Sequence, residues 1–226
     1  QPSKPAIYTM KETRTSRPVL GDMEQVAGAR SPVYFWENIS PNHHALAKRF
    51  GLFDRFFVNA DVSADGHNWS TAAYASDYVS KTVHSQYSTR RLDYDYQGMN
   101  RGRTVSDDDD VNAPSTGYLW DLAVRKKISL RNYGEFVIKG AEIGRAANSV
   151  GTKSALLATT SPDYVGWDLD VPDQKRADVW LAEFNRYVAD GNLPALEIMS
   201  LPNDHTNGLT ADKPTPRAYM ADNDLA

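Results

Sequence analysis

The chain has 226 residues, a mass of 25.2 kDa, 25 basic against 29 acidic side chains and a formal net charge of −4. This length is enough for a domain with a real hydrophobic core, and the lack of a basic excess argues against a general nucleic-acid-binding protein. No apolar run approaches the ~20 residues of a membrane span. The sequence contains no cysteine, which excludes disulfides, thiolate catalysis and thiolate metal sites, so any metal must bind oxygen or imidazole ligands.

The first half of the chain predicts two strands and two helices. Apolar, β-prone runs over residues 6–10 and 52–59 predict the strands. Ser40 followed by Pro41 is typical of a helix start, with a capping hydroxyl and a proline at the first helical position. Apolar residues at helical spacing predict the second helix over residues 68–80.

The second half begins with a polar stretch over residues 83–115, which includes the run Asp107–Asp110 and predicts a solvated loop. After it, hydrophobic spacing predicts short strands alternating with helices, of which the most strongly amphipathic helix ends at Gly191. In chain order these are a helix from about 118, a strand over 129–133, a helix over 172–189, a strand over 195–201 and a helix over 216–226. The last helix stops without a glycine cap or polar tail, and we expect the chain to be incomplete there.

Alternating strands and helices predict a single α/β domain over residues 1–226 with a mostly parallel sheet. Ligands bind such sheets beyond the carboxyl ends of the strands. A polar cluster follows each proposed strand, and this convergence predicts one common site. The clusters are Lys11–Thr13, Asp61–Asn68, Gly134–Glu135 and Pro202–Thr206.

The segment 61–69 is the strongest local signal, because it joins a proposed strand to a proposed helix. A helix N-terminus offers unpaired N–H groups and a partial positive charge, which suit a phosphate. Ser63 is the candidate nucleophile there, with His67 one turn away as its hydrogen-bond partner. The alternative is that Ser63 or Asp65 merely caps the helix.

Asp204 and His205 follow the last proposed strand and suit a hard metal ion or a phosphate oxygen. The sequence around them is also typical of a turn, so both interpretations stay open. His43 and His44 are adjacent and point about 100° apart on a helix, so we expect one to pack inward and one to face solvent rather than a shared metal.

Five blocks of sequence together resemble one protein family. In order along the chain they read SPNHHALAKRF (40–50), VSADGHNWSTAAYASDYVSKT (62–82), GYLWD (117–121), NYGEF (132–136) and LPNDHT…TPRAYMADNDLA (201–226). They resemble the phosphoesterase branch of the alkaline phosphatase superfamily, which includes phospholipase C and acid phosphatase relatives. The resemblance is greatest to the bacterial subgroup often fused to a YncE-like β-propeller.

This resemblance implies an alkaline phosphatase-like α/β/α sandwich and metal-dependent hydrolysis of phosphate esters. Ser63 matches the nucleophile that becomes phosphorylated and also touches the metal, and His67 matches a catalytic residue beside it. Asn68 matches a substrate-binding position. Asp204 matches a metal ligand, His205 a catalytic and substrate-binding residue, and Glu12 the first ligand of a metal site for one or two divalent ions of unknown identity.

Two departures from the family pattern keep an alternative open. Thr13 replaces an asparagine ligand, and Arg17 replaces an acidic residue near the expected metal. A C-terminal block that completes the family's metal cage is also missing. The chain is therefore either part of a longer protein, with a possible β-propeller domain in the same parent chain, or a degenerate, non-catalytic relative that acts as a binding or structural module. If active, we expect a secreted bacterial enzyme, periplasmic or extracellular, with a phosphate-ester substrate.

Overall fold

A computed structural model describes most of the chain and divides it into two compact units that interleave along the sequence. Unit 1 comprises Gln1–Phe56, Trp167–Asp178 and Leu201–Ala226, and unit 2 comprises Phe57–Gly166 and Val179–Ser200. The residues described are 37–53, 57, 63–87 and 113–226. Among them, no helix combines the length and the apolar character needed to cross a bilayer.

Two small sheets organise unit 2. Strand β1, Leu130–Tyr133, pairs in parallel with a strand that follows much later in the chain, Leu196–Met199, with Leu130 opposite Leu196. Between them lies an antiparallel pair, β2 (Val137–Lys139) and β3 (Ser149–Gly151), and the last strand is therefore β4. Strands β1 and β4 fall within the ranges predicted at 129–133 and 195–201 and form a parallel pair, whereas β2 and β3 form an antiparallel pair beside the mostly parallel sheet that the sequence predicts. The alkaline phosphatase-like sandwich stays a prediction.

In the described part of unit 2, five helices lie wholly or partly within the unit. They are α2 (Ser63–Ala72), α3 (Asp77–Tyr87), α4 (Leu119–Arg125), α5 (Ser154–Leu157) and the second part of α6 (Asp173–Asp190). The core of the unit is built around three aromatic rings, those of Tyr118, Trp120 and Phe136. Their centroids lie 4.6–5.1 Å apart, and each such pair adds about 0.5–1.5 kcal/mol beyond area burial.

The helix predicted over residues 68–80 is wrong as a single element, because the chain forms two helices there. The first, α2, begins at Ser63 and ends at Ala72, where the next residue, Ala73, adopts the left-handed conformation (φ 63°). The second, α3, starts after Ser76, whose Oγ accepts a hydrogen bond from the Val79 N–H at 3.3 Å. A left-handed residue cannot continue a right-handed helix, and Ser76 then caps the new one.

The other early predictions fall largely outside the described residues. The strand over 6–10, Glu12 and the Asp107–Asp110 run all lie there. Of the strand predicted over 52–59, the described residues Leu52, Phe53 and Phe57 have irregular backbone.

Unit 1 contains α1 (Pro41–Phe50), the start of α6, a short 3-10 helix at Pro202–His205 and α7 (Pro216–Leu225). Helix α1 begins at Pro41 as predicted, but the hydroxyl of Ser40 makes no capping bond and instead lies 3.2 Å from Nδ1 of His44. The carboxylate of Asp224 in α7 takes over that role, because it accepts the backbone N–H groups of Asn42 and His43 at 3.0 and 2.7 Å.

The adjacent histidines of α1 diverge as the sequence predicts. His44 is buried, and its Nδ1 lies 2.7 Å from the carbonyl oxygen of Ser40. His43 is partly exposed beside Asp224, with 3.4 Å between its Nδ1 and Oδ1 of the carboxylate. The two rings therefore serve separate local contacts.

A buried ion pair begins α6. Asp173 and Arg176 are both fully buried, with 2.9 Å between Oδ1 and Nη1. Burial raises the pKa of Asp173, and hydrogen bonds from Asn223 and from the Asn203 backbone oppose that rise. The guanidinium of Arg176 also donates to the carbonyl oxygens of Val171 and Asp168 at 2.6 and 2.7 Å. These contacts tie the 3-10 helix, α7 and the start of α6 together inside unit 1.

The range of α6 confirms the helix predicted over 172–189, but its inward face is more polar than its hydrophobic spacing indicates. Leu181 and Val188 of the predicted apolar stripe are 48% and 56% exposed. Glu183 is buried instead, where it accepts hydrogen bonds from three side chains of unit 2. The prediction that Leu181 and Val188 are buried is therefore wrong, because a charged hydrogen-bond network occupies part of the buried face of α6.

Candidate active site

The segment with the strongest sequence signal forms the first turns of α2. Ser63 is the first residue of this helix and is exposed. His67 follows four residues later, so the two side chains share one face, with Cβ atoms typically 5–6 Å apart. The Cα–Cβ bonds of an α-helix tilt toward its N-terminus, which inclines the His67 side chain toward the turn that Ser63 begins.

The imidazole of His67 is paired with a carboxylate from a distant part of unit 2. Its Nδ1 lies 2.7 Å from Oε1 of Glu135. The His67 side chain is 32% exposed, whereas that of Glu135 is only 8% exposed. Because an ionised carboxylate only accepts hydrogen bonds, the neutral form of His67 can make this contact to an ionised Glu135 only by donating from Nδ1. Nε2, on the opposite side of the ring, is then the nitrogen that carries a lone pair.

Glu135 lies in the tight turn that links β1 to β2. The side chain of Asn132 brackets this turn, since its Nδ2 donates to the Glu135 carbonyl oxygen at 2.8 Å and its Oδ1 accepts the Glu135 N–H at 3.3 Å. The residues on either side of Glu135 have left-handed backbone, Gly134 with φ 93° and Phe136 with φ 49°. The turn is therefore specified both by hydrogen bonds and by local conformation.

The aromatic core lies behind the pair formed by His67 and Glu135. Phe136, next to Glu135, packs on Tyr118, with ring centroids 5.1 Å apart. The Tyr118 hydroxyl donates to Oδ1 of Asn68 at 3.3 Å. Asn68 is fully buried, and its predicted contact with substrate stays a prediction.

Two further predicted site residues belong to the other compact unit. Asp204 and His205 belong to the 3-10 helix of unit 1, and both are exposed. The His205 ring packs edge-to-face against Trp167 at 4.9 Å, and its Nδ1 lies 3.3 Å from the Thr206 carbonyl oxygen. Within unit 2, Ser63 and His67 stand four residues apart on α2, and the His67 ring pairs with Glu135.

The metal ion that the family resemblance implies would need several histidine or acidic side chains close together. Across residues 37–53, 57, 63–87 and 113–226, no group of three or more histidine or acidic side chains is arranged to hold a metal ion. Oxygen-rich sites for hard cations need several such ligands. The described residues alone do not fit a metal ion.

Glu135 is the residue of this site that its local sequence does not mark as catalytic. The sequence places it only in a polar cluster that follows a proposed strand. Its pairing with His67 spans 68 positions, and no local pattern encodes such a separation. The signal that could have found it is the acidic residue directly after β1, at the edge of a parallel sheet where ligands bind.

Comparisons with known proteins add no relative to this description. No protein-family model, no curated protein and no solved structure matches the chain significantly. The candidate site is therefore interpreted from its own geometry and from the sequence.

Proposed function

We propose that the chain is a hydrolase of phosphate esters, of the phosphoesterase type that its sequence blocks resemble, with Ser63 as its nucleophile. The observation that carries the proposal is the pairing of His67 with the shielded carboxylate of Glu135 on the helix face that Ser63 begins. A hydroxyl needs a neighbouring base to become a strong nucleophile. A histidine oriented by a carboxylate is the common form of such a base.

The proposed reaction has two steps. In the first, the Ser63 hydroxyl transfers its proton to Nε2 of His67 while its oxygen bonds to phosphorus. The ester P–O bond breaks, and the leaving alcohol takes the proton from His67. In the second, water attacks the phosphoserine, His67 accepts the proton of the water, and the proton returns to the Ser63 oxygen as phosphate departs.

Helix α2 supports the same chemistry through its backbone. The first N–H groups of a helix have no intrahelical acceptor and carry a partial positive charge. Donors placed there stabilise the charge that develops on the phosphoryl oxygens in the transition state. Ser63 stands at this end of α2, which has 10 residues.

The proposal is tested by assaying the purified full chain on p-nitrophenyl phosphate and bis-p-nitrophenyl phosphate. We expect hydrolysis of at least one substrate, and a loss of roughly a thousandfold or more in Ser63→Ala. Ser80→Ala removes an exposed hydroxyl from the neighbouring helix α3 and should retain full activity. Acid quenching followed by peptide mass mapping should find phosphate on the peptide that contains Ser63.

The same experiment determines whether the chain binds a divalent metal ion and whether its activity depends on that ion. Metal content per chain is counted by elemental analysis, and activity is compared before and after dialysis against a chelator, with metal added back. Unchanged activity in Ser63→Ala would reject the nucleophile. A chain with neither bound metal nor hydrolysis would favour the non-catalytic module, to which Thr13 and Arg17 point.

A further inference from the structure

The turn that carries Glu135 is more constrained than a simple strand connection requires. Asn132, which is fully buried, makes two hydrogen bonds to the backbone of Glu135 and a third, at 2.9 Å, to the hydroxyl of Thr160. A buried amide that meets its hydrogen-bonding demand in this way fixes the backbone around it. The position of the Glu135 main chain is thus set from within the fold.

The backbone conformation of this turn carries a cost. Phe136 has a left-handed φ of 49° although it is a bulky residue, and such a conformation costs about 1–3 kcal/mol. Phe136 nevertheless keeps it because its ring is fully buried against Tyr118 and Trp120. The aromatic core therefore maintains a strained turn, and strained turns of this kind concentrate at functional sites.

The carboxylate of Glu135 is the side chain that this construction presents to α2. It is nearly fully buried and lies 2.7 Å from Nδ1 of His67. A glutamate is expensive to bury, so a position that keeps one against a partly exposed imidazole calls for an explanation beyond packing.

We propose that Glu135 is a positioning residue, which holds neutral His67 as the Nδ1–H tautomer so that the lone pair of Nε2 meets the Ser63 hydroxyl. This inference rests on the proposed function, which it deepens. The hydrogen bond made by one ring nitrogen of a histidine decides which nitrogen keeps the proton. Without the acceptor at Nδ1, the ring can place its hydrogen on Nε2 and loses its capacity to act as a base there.

The test combines a spectroscopic and a kinetic readout on the full chain. Long-range proton–nitrogen NMR correlations of the imidazole identify the tautomer of His67. We expect Nδ1–H in the unaltered protein and a shift toward Nε2–H in Glu135→Met, which keeps the side-chain length but removes the acceptor. Glu135→Gln, whose amide oxygen still accepts, should retain part of the Nδ1–H population.

The kinetic readout should follow the tautomer. We expect Glu135→Met to lower kcat about 10- to 100-fold, the range typical of a residue that orients a functional histidine, with KM little changed, and Glu135→Gln to recover part of the rate. Glu142→Gln removes an exposed carboxylate downstream of β2 and should change neither readout.

The outcomes separate this inference from the function on which it rests. An Nε2–H tautomer in the unaltered protein, or an Nδ1–H tautomer that persists in a folded Glu135→Met, overturns the role of Glu135 whatever the activity. If Glu135→Met does not fold, the same comparison is made with Glu135→Gln, and a tautomer and rate identical to those of the unaltered protein overturn it. If His67 has the expected tautomer but the protein hydrolyses neither substrate, the proposed function is rejected and the role of Glu135 in orienting His67 is not.

Discussion

Removal of the Glu183 carboxylate should strongly destabilise unit 2. It accepts two parallel hydrogen bonds from the Arg131 guanidinium, both at 2.7 Å, and further bonds from the hydroxyls of Tyr133 at 3.0 Å and Ser161 at 2.9 Å. The side chains of the ion pair are only 14% and 10% exposed. The substitution Glu183→Ala would leave a shielded positive charge and two hydroxyls without this acceptor.

The expected cost follows from that geometry. Removing one partner of a buried ion pair destabilises a protein by about 3–5 kcal/mol, because the remaining charge stays desolvated. The exposed pair of Lys175 and Asp178, separated by 3.4 Å on the same helix, gives the contrast. Asp178→Ala should cost at most about 1 kcal/mol, because water screens that pair.

Urea unfolding followed by tryptophan fluorescence measures the free energy of unfolding of each variant at neutral pH. A double variant, Arg131→Met with Glu183→Met, should regain part of the loss, because it removes both charges together. A loss below about 1 kcal/mol in Glu183→Ala, or an equal loss in Asp178→Ala, would refute the view that this network is a buried electrostatic anchor.

The free energy of unfolding lost in Glu183→Ala should also depend on pH, which provides an independent check. Burial raises the pKa of Glu183, but hydrogen bonds from Arg131 and Ser161 and the Arg131 charge outweigh burial and hold that pKa below its ordinary value. A carboxylate with a lowered pKa in the folded state contributes its stability above its unfolded pKa, about 4.3. The difference between the unaltered protein and Glu183→Ala should therefore be constant near neutrality and shrink as the pH falls below that value.

Two further predictions concern helix α1 and the turn that carries Glu135. Asp224→Ala removes the acceptor of two backbone N–H groups at the start of α1. It should lower the free energy of unfolding by about 1–2 kcal/mol and speed amide hydrogen exchange in α1. The control Asp190→Ala, at an exposed helix end, should do neither. Gly134→Ala would place a Cβ 2.8 Å from the Tyr164 ring at a φ of 93° and should lower the free energy of unfolding by at least about 1 kcal/mol. Gly144→Ala, with a φ of 70° but nothing within 4 Å of the added atom, isolates the backbone cost and should lose less; equal losses in the two glycine variants would contradict the predicted clash with the ring.

The sequence predicts the elements whose signals are local. Helices α1 and α7 begin at Pro41 and Pro216, each as the first helical residue, and α6 ends beside Gly191 with φ 67°. Proline has no backbone N–H to lose in the first turn, and glycine adopts the left-handed conformation without cost. Short-range chemistry of this kind is readable without knowledge of the fold.

The break between α2 and α3 shows where such reading fails. Ala73 favours helix by its intrinsic propensity, yet it adopts a left-handed φ of 63° and ends α2. The preference of one residue is less than about 1 kcal/mol, so packing within the unit can override it. The partner of Trp180 illustrates the same point, since its indole N–H donates to Glu197 of β4 at 2.8 Å, a contact that helical periodicity does not encode.

The candidate site also has a part that local sequence predicts and a part that depends on long-range contacts. Ser63 and His67 are close in sequence, so their shared helix face follows from the 3.6-residue period of an α-helix. Glu135 reaches His67 only because the turn after β1 lies beside α2 in the folded chain. The long-range part of the site is therefore a property of the core rather than of any motif.

Tyr118 connects that core to both halves of the pair. Its ring packs on Phe136, which adjoins Glu135, and its hydroxyl binds Asn68, which adjoins His67. Because protein cores are close-packed, the separation of two groups attached to one buried side chain is held within narrow limits. The His67–Glu135 contact of 2.7 Å lies directly beside this close-packed aromatic cluster. Tyr118 therefore contacts a direct sequence neighbour of each member of this pair, and through these two contacts the hydrophobic core reaches both sides of the candidate site.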